Sequence, residues 1–327
     1  MRHGERRSTG FLTPHAWSLT PCPLRPTPSM TFSLKLTTAV CLKKTPVLVG
    51  LDPRLELIPP SLRLGLKPAV LLERFCCDVI DVVAPLVPAV KPQAAFFEQY
   101  GPDGMAALGA VIRYAREKGL LVVFDGKRND IADTAEAYAS GILGEPSAWG
   151  ADALTISPYL GGDSIDPFAR TAVERQAGVF VLVKTSNPGG TMFQNLCAQD
   201  KPVYCHVAEY VQSLALKTKA DGEHYGQIGS VVGATWPSQL AELRKIMPNA
   251  WFLVPGFGTQ GGSASDVAAA FDSDGLGAIV NNSRGIIFAH TLDRFQRYGE
   301  MNWQRAVEAA AREMIDLLRA ETTAGKL

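Results

Sequence analysis

The chain has 327 residues, 46% of them hydrophobic and 20% charged, which is enough for one large globular core. Its 32 basic and 32 acidic residues give a formal net charge of zero, so nucleic acid is not an expected partner. No apolar run reaches the ~18 residues that a membrane span requires, so no membrane partner is expected. The six cysteines form no C-x-x-C pair and the five histidines show no metal-ligand spacing, a pattern typical of a cytoplasmic protein without a structural metal or a disulfide framework.

Residues 1–29 differ in composition from the rest of the chain. They are rich in Pro, Ser, Thr and Arg, contain five prolines and have Glu5 as their only acid. The segment lacks the apolar core of a secretion signal, and its prolines do not suit the amphipathic helix of an organelle transit peptide. We therefore expect a disordered N-terminal extension over 1–29, upstream of a start at Met30, and one folded domain over 30–327.

From Lys44 onward, eight short apolar runs alternate with segments of helical length. Each run is bounded by Gly, Pro, Asp or Asn, and most are continuously apolar, which is typical of parallel strands covered on both faces. The runs are VLVGLD (47–52), VPAVKP (87–92), LLVVFD (120–125), ADALTIS (151–157), VFVLVKTS (179–186), GSVVGAT (229–235), WFLVPG (251–256) and GAIVNNS (277–283).

The intervening segments show a helical period of apolar residues. Three such stripes are Ala69, Leu72, Phe75, Cys76 and Val79; Met105, Leu108, Val111 and Ile112; and, in a last helix from about Asn302, Val307, Ala311, Met314, Ile315 and Leu318. Eight strands, each followed by a helix, predict an α/β fold, a single (β/α)₈ TIM barrel. The pattern alone leaves an open doubly wound sheet as the alternative.

Charged side chains follow the second and third predicted strands. In a (β/α)₈ barrel the C-terminal strand ends form the mouth that holds the active site. Lys91 ends the second strand, and Asp125, Lys127 and Asp130 follow the third. Residues two apart on a strand share a face, so Asp125 and Lys127 are both expected to enter the mouth. An alternating Lys–Asp–Lys–Asp array would keep its members ionised; the alternative is an ion-pair network that only stabilises the barrel rim.

Two glycine-containing loops predict a phosphate site. PGFGTQGG (255–262) follows the seventh predicted strand and NSRG (282–285) follows the eighth, the two loops where barrel enzymes repeatedly bind phosphate. Glycines let backbone N–H groups approach a phosphate closely, and Arg284 can bind two of its oxygens. Either motif alone could be a tight turn, but together they predict a phosphorylated ligand.

From about Met30 to the C-terminus, the chain resembles the orotidine 5′-phosphate decarboxylase family. DGKRNDI resembles the family signature D-x-K-x-x-D-I. VGLDP, AVKPQAAFFE, TSNPGG, LVPGFGTQGG and NNSRGI are similar to motifs of the longer bacterial branch, in the same order and at the expected strand ends. TSNPGG differs slightly from the shorter branch, which leaves the role of Asn187 open.

The resemblance implies decarboxylation of orotidine 5′-monophosphate (OMP) to uridine 5′-monophosphate (UMP), the last step of de novo UMP synthesis, with no cofactor and no metal. Lys127 matches the lysine that protonates C6 of the ring, and Asp125 matches the aspartate beside the substrate carboxylate. Lys91 matches the lysine that contacts the ribose and orients the charged array. Asp130 matches the aspartate contributed across the interface of a homodimer with shared active sites.

The same resemblance implies five further substrate contacts. Asp52 matches a ligand of a ribose hydroxyl, and Thr134 matches a residue that reaches the ribose in the partner's site. Ser186 matches the serine that recognises the amide edge of the pyrimidine. Gln260 and Arg284 match the phosphate ligands.

Three other functions share parts of this pattern. A Mg²⁺-dependent sugar-phosphate decarboxylase or aldolase also carries D-x-K-x-x-D, but it needs a carboxylate at the end of the second strand, where Lys91 would repel the cation. A Schiff-base aldolase needs a neutral lysine, whereas Asp125 and Asp130 should keep Lys127 charged. A non-catalytic nucleotide sensor would keep the phosphate ligands but have no use for the lysine–aspartate array.

Overall fold

Eight parallel strands close into a barrel in the computed structural model, which describes residues 1, 30–63, 65–258 and 261–327. The disordered extension predicted over 1–29 lies outside the described residues except for Met1. The barrel strands are β1 (Val47–Leu51), β2 (Ala89–Pro92), β3 (Leu121–Arg128), β4 (Ala153–Ile156), β5 (Gly178–Lys184), β6 (Ile228–Val232), β7 (Phe252–Val254) and β8 (Ala278–Asn282). Each strand pairs with its neighbours in chain order, and β1 pairs with β8.

Helices follow the strands and surround the barrel. In the described part of the chain the α-helices are α1 (Phe32–Lys43), α2 (Pro68–Val83), α3 (Ala95–Glu98), α4 (Gly101–Glu117), α5 (Ala132–Ile142), α6 (Gly162–Glu174), α7 (Thr191–Gln194), α8 (Val203–Thr218), α9 (Pro237–Ile246), α10 (Ala264–Val267), α11 (Arg284–Ile287) and α12 (Trp303–Glu321). The single (β/α)₈ TIM barrel is confirmed. The open doubly wound sheet is wrong, because Val47 of β1 pairs with Val280 of β8.

The apolar pattern of the sequence accounts for the packing. Every residue of β1, β2, β4, β6, β7 and β8 is buried, as continuously apolar strands inside a ring of helices require. The predicted stripe of the last helix, Val307 to Leu318, is buried on α12. The barrel core therefore positions the strand ends, and with them the polar side chains at the mouth.

Helix α1 closes the N-terminal end of the barrel. Phe32 packs edge-on against Phe180 of β5, with ring centroids 5.9 Å apart, and Leu36 and Val40 join the same interior cluster. The sequence pattern did not predict this helix, because its apolar residues do not follow one clear stripe. Its docking depends on Gly178, where an added Cβ would lie 2.1 Å from Cδ1 of Phe32.

We expect Gly178→Ala to lower the free energy of unfolding by about 1–3 kcal/mol, the usual cost of overpacking a core. Urea denaturation followed by tryptophan fluorescence measures it. Gly141→Ala is the matched control, because its Cβ would meet nothing within 4 Å and alanine in a helix is favoured over glycine by about 0.5–1 kcal/mol. Equal effects of the two substitutions would contradict the packing role of Phe32.

Candidate active site

A cavity of about 430 Å³ opens at the C-terminal ends of the barrel strands. The residues that line it are Asp52, Lys91, Gln93, Asp125, Lys127, Thr155, Leu182, Thr185, Ser186, Asn187, Val231, Leu253, Pro255, Gly256, Phe257, Asn281, Asn282, Ser283 and Arg284. They come from the ends of all eight strands or from the loops that follow. This is where barrel enzymes hold their active sites, and its size is in the range of small-molecule sites.

The carboxylate of Asp125 is the centre of the polar network. Its Oδ2 accepts hydrogen bonds from Lys91 Nζ at 2.6 Å and Gln93 Nε2 at 3.0 Å. Its Oδ1 accepts from Lys127 Nζ at 2.7 Å and Thr155 Oγ1 at 2.8 Å. The side chains of Asp125 and Lys91 are only 7% and 4% exposed, whereas that of Lys127 is 46% exposed. A buried carboxylate is thus fully hydrogen-bonded, with one ammonium group behind it and one facing the cavity.

Mutual pairing outweighs burial in setting the charges of this network. Burial alone would raise the pKa of Asp125, but the charges of Lys91 and Lys127 and their hydrogen bonds hold it well below its usual value of 3.8. Burial alone would lower the pKa of Lys91, but Asp125 and Asp52 raise it above its usual value of 10.5. Asp125 and Lys91 are therefore both ionised at neutral pH.

These pKa directions define the pH range in which the buried pair stabilises the fold. The lowered pKa of Asp125 contributes stability above the usual carboxyl value of 3.8, which is lost as the pH falls through the lower folded value. The raised pKa of Lys91 contributes stability below the usual value of 10.5, which is lost as the pH rises through the higher folded value. Both contributions are complete near pH 7.

A bulge in β3 brings Asp125 and Lys127 together. The predicted third strand stops at Asp125, whereas β3 continues to Arg128 with a register shift between Phe124 and Arg128. Lys127 has a φ of 45°, in the left-handed region that non-glycine residues rarely adopt. The prediction that both side chains enter the mouth is confirmed, but they meet through a bulge and not through simple strand alternation.

The two predicted phosphate loops lie side by side at the mouth. Gly256, Gly258 and Gly261 all have positive φ, between 74° and 98°, and the loop closes on itself where Gly258 N donates to Gly262 O at 2.8 Å. Arg284, exposed at the start of α11, lines the cavity. Gln260, the other predicted phosphate ligand, lies outside the described residues.

Two buried acceptors face the cavity across β1 and β8. Oδ1 of Asp52 and Oδ1 of Asn281 are buried and have no hydrogen-bond partner within the described ranges of the chain. Buried polar atoms are almost always hydrogen-bonded, so both atoms can accept hydrogen bonds from hydroxyl groups of a ligand. Asp52 was predicted as such a residue, whereas Asn281 was not, although its place in the NNSRG motif at a strand end was a usable signal.

The segment with Ser186 and Asn187, both of which line the cavity, is held from behind by a buried lysine. Lys184 Nζ donates to Asn195 Oδ1 at 2.7 Å and lies 4.7 Å from the centroid of the Trp236 ring. Burial lowers the pKa of Lys184. Trp236 in turn donates from Nε1 to the carbonyl of Thr185 at 2.9 Å. Lys184 was not predicted as part of the site, because the apolar pattern of β5 does not show on which side of the strand its side chain lies.

Asp130 and Thr134 do not line the cavity of their own chain. Oδ1 of Asp130 accepts a hydrogen bond from the neighbouring Ile131 N at 2.9 Å, and Thr134 is exposed in the first turn of α5. Of the predicted array, one chain therefore brings together Lys91, Asp125 and Lys127, and leaves Asp130 apart.

The described ranges of the chain hold neither a metal-ligand cluster nor a membrane-spanning helix. No group of three or more His, Cys, Asp and Glu side chains in these ranges is placed to hold a metal ion. In the same ranges no helix has the length and apolar character needed to cross a membrane.

Proteins of one family resemble this chain over most of its length. A family model described as "Orotidine 5'-phosphate decarboxylase / HUMPS family" matches residues 45–293. The chain is 54% identical over 301 residues to an orotidine 5′-phosphate decarboxylase of Rhodopirellula baltica, covering 89% of this chain and 99% of the relative. A Bordetella pertussis relative of the same name is 40% identical over 298 residues, covering 90% and 100%. The solved structure of Leishmania donovani OMP decarboxylase superposes with a TM-score of 0.71 at 36% identity, covering 89% and 99%.

We expect Asp125→Ala to lower the free energy of unfolding at pH 7 by about 3–5 kcal/mol, because it leaves the buried charge of Lys91 without its partner. Chemical denaturation of the two proteins measures the difference. Asp81→Ala is the matched control: Asp81 pairs with Lys118 at 2.5 Å, with side chains 46% and 40% exposed, and an exposed pair contributes about 0–1 kcal/mol. Equal losses in both variants would contradict the structural importance of the buried pair.

Proposed function

The chain belongs to the orotidine 5′-phosphate decarboxylase / HUMPS family, and from this premise we propose that its cavity removes CO₂ from OMP to give UMP, the last step of de novo UMP synthesis. The observation that carries the proposal is the Lys91–Asp125–Lys127 network. It stands in one cavity with Arg284 and the glycine loop. A charged network and groups suited to phosphate in one cavity fit a substrate such as OMP, which carries a phosphate at one end and a reacting carboxylate at the other.

The proposed substrate pose follows the polar groups around the cavity. The phosphate binds Arg284 and the loop that contains Gln260, because guanidinium and backbone N–H groups near glycines suit phosphate oxygens. The ribose hydroxyls lie against Asp52 and Lys91, and the unpartnered buried Oδ1 of Asp52 supports this. Ser186 contacts the amide edge of the pyrimidine. In this pose C6 of the ring faces Lys127.

Lys127 is the proposed proton donor. The bond from C6 to the carboxylate breaks and CO₂ leaves, so the electron pair stays on C6. The Lys127 ammonium then gives a proton to C6 and is reprotonated from solvent. Its 46% exposed side chain, held 2.7 Å from Asp125, supports this role, because a fixed positive charge stabilises the carbanion where it forms.

Asp125 is proposed to lie beside the substrate carboxylate. Its lowered pKa keeps it ionised in the cavity, so the two carboxylates repel each other until CO₂ has left. Such repulsion raises the energy of the bound substrate, and binding energy from the remote phosphate offsets it.

The proposed reaction uses no metal and no other cofactor. The Mg²⁺-dependent alternative requires a carboxylate at the end of β2, and Lys91 stands there instead, ion-paired with Asp125 at 2.6 Å. The Schiff-base alternative requires a neutral amine, and Lys127 donates to an ionised carboxylate. The sensor alternative does not account for a buried charge network that is costly to assemble.

The working unit is proposed to be a homodimer in which Asp130 and Thr134 complete the partner's site. Both residues lie outside their own cavity, which supports this arrangement. Two apolar side chains beside them, Ile131 and Tyr138, are 55% and 38% exposed, and a partner subunit seated on this face would cover them. The folded domain is proposed to span 30–327, because α1 packs into the barrel interior.

Lys127→Ala is expected to lower kcat for OMP by about 10³-fold, within the range for loss of a general acid, while the wild-type enzyme keeps its full rate in excess EDTA. The loss of ultraviolet absorbance of OMP measures turnover directly.

Lys118→Ala, which removes an exposed lysine paired with Asp81, is the control and should turn over at the wild-type rate. Wild-type activity that disappears on chelation and returns with Mg²⁺ would contradict the metal-free reaction. A near-normal rate for Lys127→Ala would refute the assigned proton donor.

Mixing Asp130→Ala and Lys127→Ala subunits is expected to restore activity to about a quarter of the wild-type level. At equal mixing about half of the dimers are mixed, and in a two-fold dimer one site of each mixed pair carries both lesions and the other carries neither. The OMP assay on the unseparated mixture tests this, and the doubly tagged dimer, isolated after co-expression with two affinity tags, is expected to keep about half of the wild-type activity. A doubly tagged dimer with no activity above either parent would rule out shared sites.

A further inference from the structure

The bulge in β3 faces a single residue of β4. Phe124 pairs with Leu154 and Arg128 pairs with Ile156, so Asp125, Gly126 and Lys127 lie opposite Thr155 alone. A bulge of this kind leaves backbone groups of the longer strand without regular ladder partners. The side chain of Thr155, 1% exposed, fills this gap.

The Thr155 hydroxyl bridges two groups of the proposed reaction. Its Oγ1 accepts a hydrogen bond from the backbone N–H of Lys127 at 3.0 Å and donates to Asp125 Oδ1 at 2.8 Å. Both directions are fixed by chemistry, because a backbone N–H can only donate and an ionised carboxylate can only accept. One hydroxyl therefore holds the carboxylate and the backbone of the neighbouring lysine in a fixed relation.

The backbone held in this way is strained. Lys127 has a φ of 45°, and residues in this region keep the conformation only where the surroundings enforce it. The hydrogen bond from Lys127 N to Thr155 supplies such a constraint at the strained residue itself. Threonine suits the position, because its β-branch restricts χ1 and keeps the hydroxyl aimed at the bulge.

We propose that Thr155 is a positioning residue that sets the Lys127 ammonium and the Asp125 carboxylate in the geometry needed for proton transfer to C6. This role rests on the proposed decarboxylation. Thr155 lines the cavity at the charge network, away from Arg284 and the glycine loop, so its loss affects the reacting end of the substrate more than phosphate binding. The effect therefore falls on kcat and largely spares KM.

The test replaces Thr155 by valine, which keeps the shape and removes both hydrogen bonds, and by serine, which keeps the hydroxyl. Thr155→Val is expected to lower kcat roughly 10²-fold, the scale of a small misplacement of reacting groups, with KM for OMP changed by less than about threefold. Thr155→Ser is expected to recover most of the lost kcat. Amide hydrogen exchange at Lys127 is expected to accelerate in Thr155→Val and to return toward wild type in Thr155→Ser.

Thr45→Val is the matched control. Thr45 is fully buried, and its Oγ1 accepts a hydrogen bond from Val47 N at 3.3 Å, just before β1 and far from the mouth. It reports the general effect of removing a buried hydroxyl, and its kcat and Lys127 exchange should match the wild type. Thr155→Ala removes the same hydroxyl without a γ-methyl and replaces Thr155→Val should the latter fail to fold.

Wild-type kcat with unchanged Lys127 exchange in Thr155→Val overturns the positioning role. So does a kcat loss that Thr155→Ser does not recover. A wild-type protein without activity on OMP refutes the proposed function, and the exchange comparison then decides separately whether the hydroxyl holds the Lys127 backbone.

Discussion

The rest of the site depends on one buried carboxylate, that of Asp125. An ion in a barrel interior loses its hydration, and it remains charged only where other groups replace the water. Here four donors do so, from β2, the loop after β2, β3 and β4. Three neighbouring strands, β2, β3 and β4, and the loop after β2 are thus tied to the two oxygens of one carboxylate. The position of Lys127 follows from where that carboxylate is held.

The sequence was sufficient to predict the barrel and most of the charged residues of the candidate site. Continuous apolar runs such as those of β4 and β5 predicted strands buried on both faces, and Lys91 and Asp125 at strand ends predicted the network. The bulge that carries Lys127 could not be predicted, because a register shift depends on how β3 pairs with β4 across 30 residues of chain. Thr155 was missed for the same reason. Its role depends on two hydrogen bonds that form only once β3 and β4 are paired.

Helix α1 is a second feature that the apolar pattern of the sequence did not predict. A helix on the barrel surface buries one stripe, so its apolar period is visible in sequence. Helix α1 instead covers the N-terminal end of the barrel, where Phe32, Leu36 and Val40 reach into the interior, and its partners lie far along the chain, at Phe180 for example. The four-residue spacing of Phe32, Leu36 and Val40 suits a helix, but the exposed Leu34 and Leu42 on its other faces obscure the stripe, and no local pattern shows that it covers the barrel end. The glycine that admits it, Gly178, resembles an ordinary strand boundary until the Phe32 ring is in place.

The segment 125–134 joins the chemistry of one chain to the proposed partner. It starts at the buried Asp125, passes through the strained Lys127, and leaves the barrel at Asp130 to begin α5 at Ala132, where φ is again positive, at 47°. Two left-handed residues within six positions turn the chain away from its own cavity. The backbone that aims Lys127 inward therefore also aims Asp130 and Thr134 outward. If those two residues complete the partner's site, proton donor and dimer geometry are set by the same turns, so a change that relaxes the bulge should disturb both.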